Sequence, residues 1–195
     1  MRSKITLFVI LCSLSLSTRA QEYAKYEPSD AYPFGRANPN APEQIKDFAP
    51  MIGKCTCSSV ARNPDQSWAE PIEMTWTFKY IMNGYGVQDE TIKEDGGHSG
   101  SIRQYIADSA RWYVHYYSNL GPSTTLSAWE GNLTKEKDKI VLYRDQTAPN
   151  GMEGLYRITF YDFTDVGYKW IGEWTDKTEQ IVFPIWKIDC KRKDE

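Results

Sequence analysis

Apolar and polar residues alternate along ten short segments of this chain, between Gly53 and Cys190. Alternation at every second position is typical of β-strands that bury one face and expose the other. The second segment is the clearest, because its apolar positions all share one face: Ile72, Met74, Trp76, Phe78, Tyr80 and Met82. The pattern predicts strands at residues 53–60, 71–82, 85–94, 99–107, 111–118, 124–132, 138–145, 154–163, 167–175 and 179–189.

Short turn sequences separate the ten segments, for example Asn83-Gly84, Asp95-Gly96-Gly97 and Pro149-Asn150-Gly151. Asn and Gly tolerate the positive φ angles of tight hairpins, so consecutive strands are expected to pair in antiparallel fashion. An open sheet of this length would leave two unpaired edges, which closure into a barrel removes. We therefore predict an all-β fold, a single antiparallel up-and-down barrel of about ten strands. Pro184 lacks a backbone donor, and it should mark a bulge or a weakened pairing in the last strand.

Residues 1–20 have the features of a secretory signal peptide. Arg2 and Lys4 precede a short apolar run at residues 5–16, and Thr18-Arg19-Ala20 offers a cleavage site. The apolar run is too short to span about 30 Å of hydrocarbon. We therefore expect a secreted or periplasmic protein, with no insertion into a membrane after the signal peptide is cleaved.

The remaining chain divides into three parts. Residues 21–41 are rich in Pro and Tyr, and this N-terminal segment could lie along the barrel. Residues 42–190 form the barrel domain, which begins with a short helix at 42–48 because a proline suits the first helical turn. Residues 191–195 form a charged tail.

Removal of the signal peptide would take away three cations and no acidic residue, which lowers the formal net charge from −3 to −6. An acidic chain without clustered cations binds nucleic acid and anionic membranes poorly, so we expect neither as a partner. We expect a small-molecule ligand instead, and a protein that is a monomer or a weak dimer.

Three cysteines remain after cleavage, namely Cys55, Cys57 and Cys190. Exported proteins form disulfides, and the first and last strands of a closed meander are neighbours. We expect Cys190 to bond to Cys57 across this seam, with Cys55 as the alternative, because the register cannot be read from the sequence. Three thiols without a nearby His or a fourth Cys make a poor zinc site, so we predict no metal.

Four short stretches of the sequence carry a family resemblance: Phe48-x-x-Met51-Ile52-Gly53, Tyr80-Ile81-Met82-Asn83-Gly84, Ser101-Ile102-Arg103-Gln104-Tyr105 and Arg157-Ile158-Thr159-Phe160. Over residues 45–190 this pattern resembles the uncharacterised lipocalin-like family DUF1579. The resemblance implies a calycin-type barrel and no particular activity. The chain departs from the family at Lys54-Cys55, where the family usually carries Trp, and at Asp176-Lys177-Thr178, where it usually has an acid-Gly-Gly turn.

The interior of the predicted barrel is aromatic, because large rings recur at its inward positions. These rings would either fill a small barrel or form the apolar wall of a cavity for a small apolar or amphipathic ligand. Arg103 and Arg157 point either inward, where they would anchor an anionic group, or outward to water. The predicted ligand-binding set is Trp76, Tyr80, Arg103, Tyr105, Arg157, Trp170 and Trp174.

Two other functions remain open. A small enzyme with isomerase-like or decarboxylase-like acid–base chemistry would use Glu90 or Glu173, and a packed barrel without a ligand would be a structural or interaction domain. The sequence contains no catalytic motif, so no catalytic residue is predicted. No cofactor is predicted either, although His115 could ligate haem. Asn132-Leu133-Thr134 fits a glycosylation acceptor if the host is eukaryotic.

Overall fold

A computed structural model describes residues 23–192, and it confirms the predicted fold class. Ten antiparallel strands form one closed barrel in which each strand pairs with its neighbours in sequence and the last pairs with the first. The strands are β1 (Gly53–Ala61), β2 (Ile72–Ile81), β3 (Gly86–Lys93), β4 (His98–Ile106), β5 (Arg111–Ser118), β6 (Ser127–Leu133), β7 (Lys139–Asp145), β8 (Gly154–Thr164), β9 (Gly167–Asp176) and β10 (Val182–Arg192). The predicted signal peptide and the end of the charged tail lie outside the described residues.

The predicted strand ends differ from the observed ones where turns are held by side chains. The last strand begins at Val182 rather than residue 179, because Asp176 binds the preceding turn. Its carboxylate accepts the backbone N–H of Ile181 at 2.7 Å. The prediction that Met82 shares the inner face of β2 is wrong. Met82 and Asn83 lie in the turn after β2 with φ of 54° and 51°, and the Met82 side chain is 41% exposed.

One end of the barrel is closed by a 3-10 helix, Glu43–Met51, that buries Ile45, Phe48 and Met51. The helix begins one residue after the predicted start, with Pro42 as its N-cap, and it ends at Met51, beyond the predicted end at residue 48. The ring of Phe48 packs edge-on against that of Trp112, with 4.7 Å between centroids. This packing holds the helix against the inner face of β5 and fills the end of the barrel that the helix closes.

Residues 26–41 lie against the turn between β2 and β3. The backbone N–H of Tyr80 donates to the carbonyl oxygen of Phe34 at 2.9 Å, and Asn38 donates to the Asn83 carbonyl at 3.0 Å. Gly35 has φ of 67°, and a Cβ there would lie 2.8 Å from the Tyr26 carbonyl oxygen. A glycine is therefore needed where this segment folds onto the barrel.

The seam of the barrel is the pairing of β1 with β10, in which Cys57 lies opposite Cys190. These two cysteines form a disulfide, as predicted, and Cys55 is a buried free thiol. The bulge expected near Pro184 is confirmed as a register shift between Pro184 and Trp186 in the pairing of β10 with β9. The chain ends of the barrel are thus held by a backbone ladder and one covalent bond.

The disulfide is consistent with an extracellular or periplasmic protein, because such bonds persist in oxidising compartments. Between residues 23 and 192, no helix is both long enough and apolar enough to cross a membrane.

Loss of the seam disulfide should destabilise the barrel. We expect the double variant Cys57→Ala/Cys190→Ala to lower the free energy of unfolding in urea by about 2–5 kcal/mol, because the bond closes a long loop in the unfolded chain. Cys55→Ala, which removes a buried thiol of the same strand without touching the bond, should cost about 1 kcal/mol. Non-reducing peptide mapping that linked Cys55 to Cys190 would contradict this assignment.

Candidate functional site

A cavity of about 280 Å³ lies in the half of the barrel away from the 3-10 helix. This volume is close to the lower end of the range for small-molecule pockets. Side chains from β2 to β10 line it, namely Met74, Trp76, Asp89, Thr91, Ser99, Ser101, Arg103, Val114, Tyr116, Ser127, Trp129, Arg144, Tyr156, Ile158, Phe160, Trp170, Trp186 and Ile188. The lining residues Ser99, Ser127 and Arg144 are only half-buried, so they mark the end at which the cavity meets solvent.

A buried ion pair between Arg103 and Asp89 forms the floor of the cavity. Both side chains are almost fully buried, and Nη1 of Arg103 donates to Oδ1 of Asp89. The other carboxylate oxygen, Oδ2, accepts the indole N–H of Trp76 at 2.7 Å. Both oxygens of the carboxylate therefore have donors, which a charge needs if it is to remain inside a protein.

Aromatic rings surround the guanidinium group of Arg103 on the side of the closed end. Its central carbon lies 4.8 Å from the ring centroid of Phe78, 5.1 Å from that of Phe48 and 5.8 Å from that of Phe160. Rings at these distances attract a cation through their quadrupole. The ion pair thus divides the interior into two halves. The half next to the 3-10 helix is packed with aromatic rings, and the other half contains the cavity.

The cavity has an aromatic wall and a hydroxyl wall. The aromatic wall is formed by Trp129, Tyr156, Trp170 and Trp186. The hydroxyl wall is formed by Thr91, Ser99 and Ser101 on β3 and β4, and Ser127 adds a hydroxyl at the mouth on β6. Thr91 lies directly opposite Ser99 in the pairing of β3 with β4, so their side chains stand side by side. Such a cavity can stack a flat ring on one side and hydrogen-bond polar groups on the other.

The cation of Arg144 lies at the mouth, over two rings of the aromatic wall. The guanidinium carbon of Arg144 lies 4.3 Å from the ring centroid of Trp129 and 5.4 Å from that of Tyr156. Its Nη2 donates to the side-chain oxygen of Gln146 at 3.0 Å. Burial lowers the pKa of Arg144, and burial raises the pKa of Tyr156 to about 12. At neutral pH the mouth therefore carries a cation beside a protonated phenol.

Of the residues predicted to bind a ligand, Trp76, Arg103 and Trp170 line the cavity. Tyr80 is buried on the same face of β2 nearer the closed end, and Tyr105 packs against Trp112 there with 5.7 Å between centroids. Trp174 is buried, and its indole N–H donates to the carbonyl oxygen of Gln146 at 3.0 Å. These three rings are not among the lining residues.

Arg157 lies on the outer face of β8, because its neighbours Tyr156 and Ile158 both face the cavity. Its Nη2 donates to Glu173 at 2.9 Å, and its Nη1 pairs with Glu179. Burial acts to lower the pKa of Arg157, but the hydrogen bonds and charges of these two carboxylates together outweigh it and raise that pKa. The inward orientation considered for Arg157 is therefore wrong, and the arginine belongs to an ion-pair cluster on the outside of the barrel.

The carboxylates considered for acid–base chemistry do not lie at the cavity. Glu90 is exposed on the outer face of β3, and Glu173 is held by Arg157 on the outer face of β9. His115 lies between Val114 and Tyr116, which face inward, so it points outward and could not ligate a haem held in the cavity. Within residues 23–192, no three His, Cys, Asp or Glu side chains come together as a metal site.

Comparison with known proteins supports the barrel architecture. No family model matches the sequence, so membership of DUF1579 is not confirmed, and no curated protein matches it either. The chain is similar to the crystal structure of Rv2717c from M. tuberculosis, with a TM-score of 0.53 and 10% identity over 80% of this chain and 100% of that one. A redesigned beta barrel also matches, with a TM-score of 0.33 and 11% identity over 76% of this chain and 96% of that one. At this identity the likeness to Rv2717c shows a shared barrel fold.

The stability of the protein should depend on the presence of both charges of the ion pair at the floor of the cavity. We expect Asp89→Ala to lower the free energy of unfolding by about 3–5 kcal/mol, because it leaves the buried guanidinium of Arg103 uncompensated. The double variant Asp89→Leu/Arg103→Met should recover most of this loss in urea unfolding, since it removes both charges together.

The exposed pair Arg111–Glu130 serves as the control for this measurement. Glu130→Ala should change the free energy of unfolding by about 0.5 kcal/mol or less, because surface pairs contribute little. A loss for Asp89→Ala as small as that of the control would refute the structural role of the buried pair.

Proposed function

We propose that this protein binds a small, largely aromatic ligand in the cavity above the Arg103–Asp89 floor. The observation that carries this proposal is the open volume of about 280 Å³ beside a wall of four aromatic rings. Protein interiors are close-packed, and voids larger than a water molecule are few. A space of this size, kept between packed rings and open to solvent at one end, therefore favours a role in binding.

The lining favours an amphipathic ligand of one or two rings. Flat rings would stack or pack edge-on against Trp170 and Trp186, whose own centroids are 5.3 Å apart. Polar substituents would reach the hydroxyl groups of Ser101 and Thr91 on the opposite wall. The volume lies just below the range typical of drug-sized ligands, which favours compounds smaller than these.

Binding is favoured over catalysis by the state of the acidic groups. Asp89 is the carboxylate within the cavity lining, and both of its oxygens already accept hydrogen bonds from Arg103 and Trp76. Its negative charge is thus already compensated by a buried guanidinium and an indole N–H, so within the lining this carboxylate serves the structure of the floor, which favours a binding site over a catalytic one.

We further propose that the chain is an exported, distant member of the lipocalin-like family DUF1579, on the strength of the sequence stretches that resemble it.

Isothermal titration calorimetry with the neutral two-ring probe 2-naphthylmethanol tests the proposed function. We expect saturable binding with a dissociation constant of roughly 1 μM to 1 mM, as for a fragment-sized apolar ligand. Ser127→Trp should abolish the heat of binding, because Ser127 lines the mouth and a large ring there would fill the cavity.

The control is Ala128→Trp, which places the same ring one position further along β6, at an exposed residue outside the cavity. This variant should bind the probe as the unmodified protein does. Absence of saturable binding to the unmodified protein, or equal binding by both variants, would refute a ligand site in this cavity.

A further inference from the structure

We propose that the ligand of this cavity carries a carboxylate, and that Arg144 binds this group at the mouth. The inference rests on the proposed function and adds the chemical class of the ligand, a one- or two-ring aromatic carboxylate. Its basis is a comparison of three arginines, Arg103, Arg157 and Arg144, which differ in whether a carboxylate of the protein already neutralises their charge.

The charge of Arg103 is already neutralised. Its guanidinium pairs with Asp89 at the floor of the cavity, so an anion placed there would meet the carboxylate as well as the cation. Arg157 is neutralised by Glu173 and Glu179 on the outer face of the barrel. Neither arginine is therefore suited to anchor an anionic ligand inside.

Arg144 has no such counter-charge among the residues that the structure describes. Its polar partner is the neutral side chain of Gln146, and none of the ion pairs between residues 23 and 192 involves it. A guanidinium group has five N–H donors and matches a carboxylate through two parallel hydrogen bonds. Most of these donors remain for a ligand.

The rings around Arg144 hold it in place for such a contact. The guanidinium is stacked on Trp129 and lies near Tyr156, so little side-chain freedom remains to be lost when a ligand binds. The phenol of Tyr156 keeps its proton at neutral pH, since its pKa is about 12, and it provides a further donor beside the cation. The phenol of Tyr116, which also lines the cavity, contributes to raising the pKa of Tyr156.

The position of Arg144 also fixes how the ligand would lie. Arg144 is half-buried where the cavity meets solvent, so a carboxylate bound there keeps part of its hydration and loses little free energy on entry. The rings of the ligand would then extend inward between the aromatic and hydroxyl walls, towards the neutral floor. A charged group directed to the floor would be buried completely and would face Asp89.

Calorimetry with two matched probes, 2-naphthoate and 2-naphthylmethanol, tests this inference. The unmodified protein should bind 2-naphthoate about ten-fold or more tightly than the neutral probe, the factor expected for a charge-assisted hydrogen bond. In Arg144→Gln the ratio of the two affinities should fall to about one, because the variant removes the charge that distinguishes the two probes. Arg111→Gln removes one positive charge from an exposed site on β5 and should retain the preference.

A measurement on the unmodified protein makes the test independent of the variant's folding. The ¹⁵N resonance of the Arg144 Nε–H group should shift with 2-naphthoate and stay unchanged with 2-naphthylmethanol. Equal affinity for the two probes, or a preference that survives in Arg144→Gln, would overturn this inference and leave the proposed function intact. Failure of both probes to bind the unmodified protein would overturn both.

Discussion

Arg103 and Asp89 place opposite charges inside the barrel, where neither could remain charged alone. The pair joins β3 to β4, and the indole of Trp76 extends the network to β2. Rings of the closed end pack against one side of the guanidinium, and the cavity opens on the other. The division of the interior into a filled half and an open half therefore depends on this interaction, and so does the placement of any ligand charge away from the floor.

Most of the fold could be predicted because alternation and turn chemistry are local signals. The strands, the closure and the bulge at Pro184 follow from patterns within single segments. A bond from Cys190 to the first strand follows from the pairing of the first and last strands, and the register in the structure selects Cys57 over Cys55. The predicted inward position of Met82 was wrong because the apolar pattern of β2 continues past the end of the strand into a turn. Periodicity reports which residues are apolar, and it does not report where the backbone reverses.

The site was harder to predict, because its decisive contacts join residues that are distant along the chain. Asp89 shares the buried face of β3 with Val87 and Thr91, so the alternation in this strand could have indicated a buried carboxylate. The alternation could not identify Arg103 as its partner, because Arg103 lies on β4. Arg144 shares a face with Ile140 and Leu142 in the same way, at the end of its strand. Arg157 looked equivalent in the sequence, yet its partners Glu173 and Glu179 come from β9 and from the turn that follows it. Only three-dimensional pairing distinguishes a neutralised arginine from one that is available.

The bond between Cys57 and Cys190 joins the first and last strands across a separation of 133 residues. Nearly the whole barrel is therefore a covalent ring, from which the N-terminal segment and the end of β10 project. A single proteolytic cut in any hairpin between the two cysteines would open this ring and leave both fragments attached to each other. Tension applied to the two ends of the chain would pass through the sulfur bridge and bypass the hydrogen bonds of the sheet. In an extracellular or periplasmic setting, with which the disulfide is consistent, the seam would hold a cut chain in one piece by a covalent bond as well as by strand pairing.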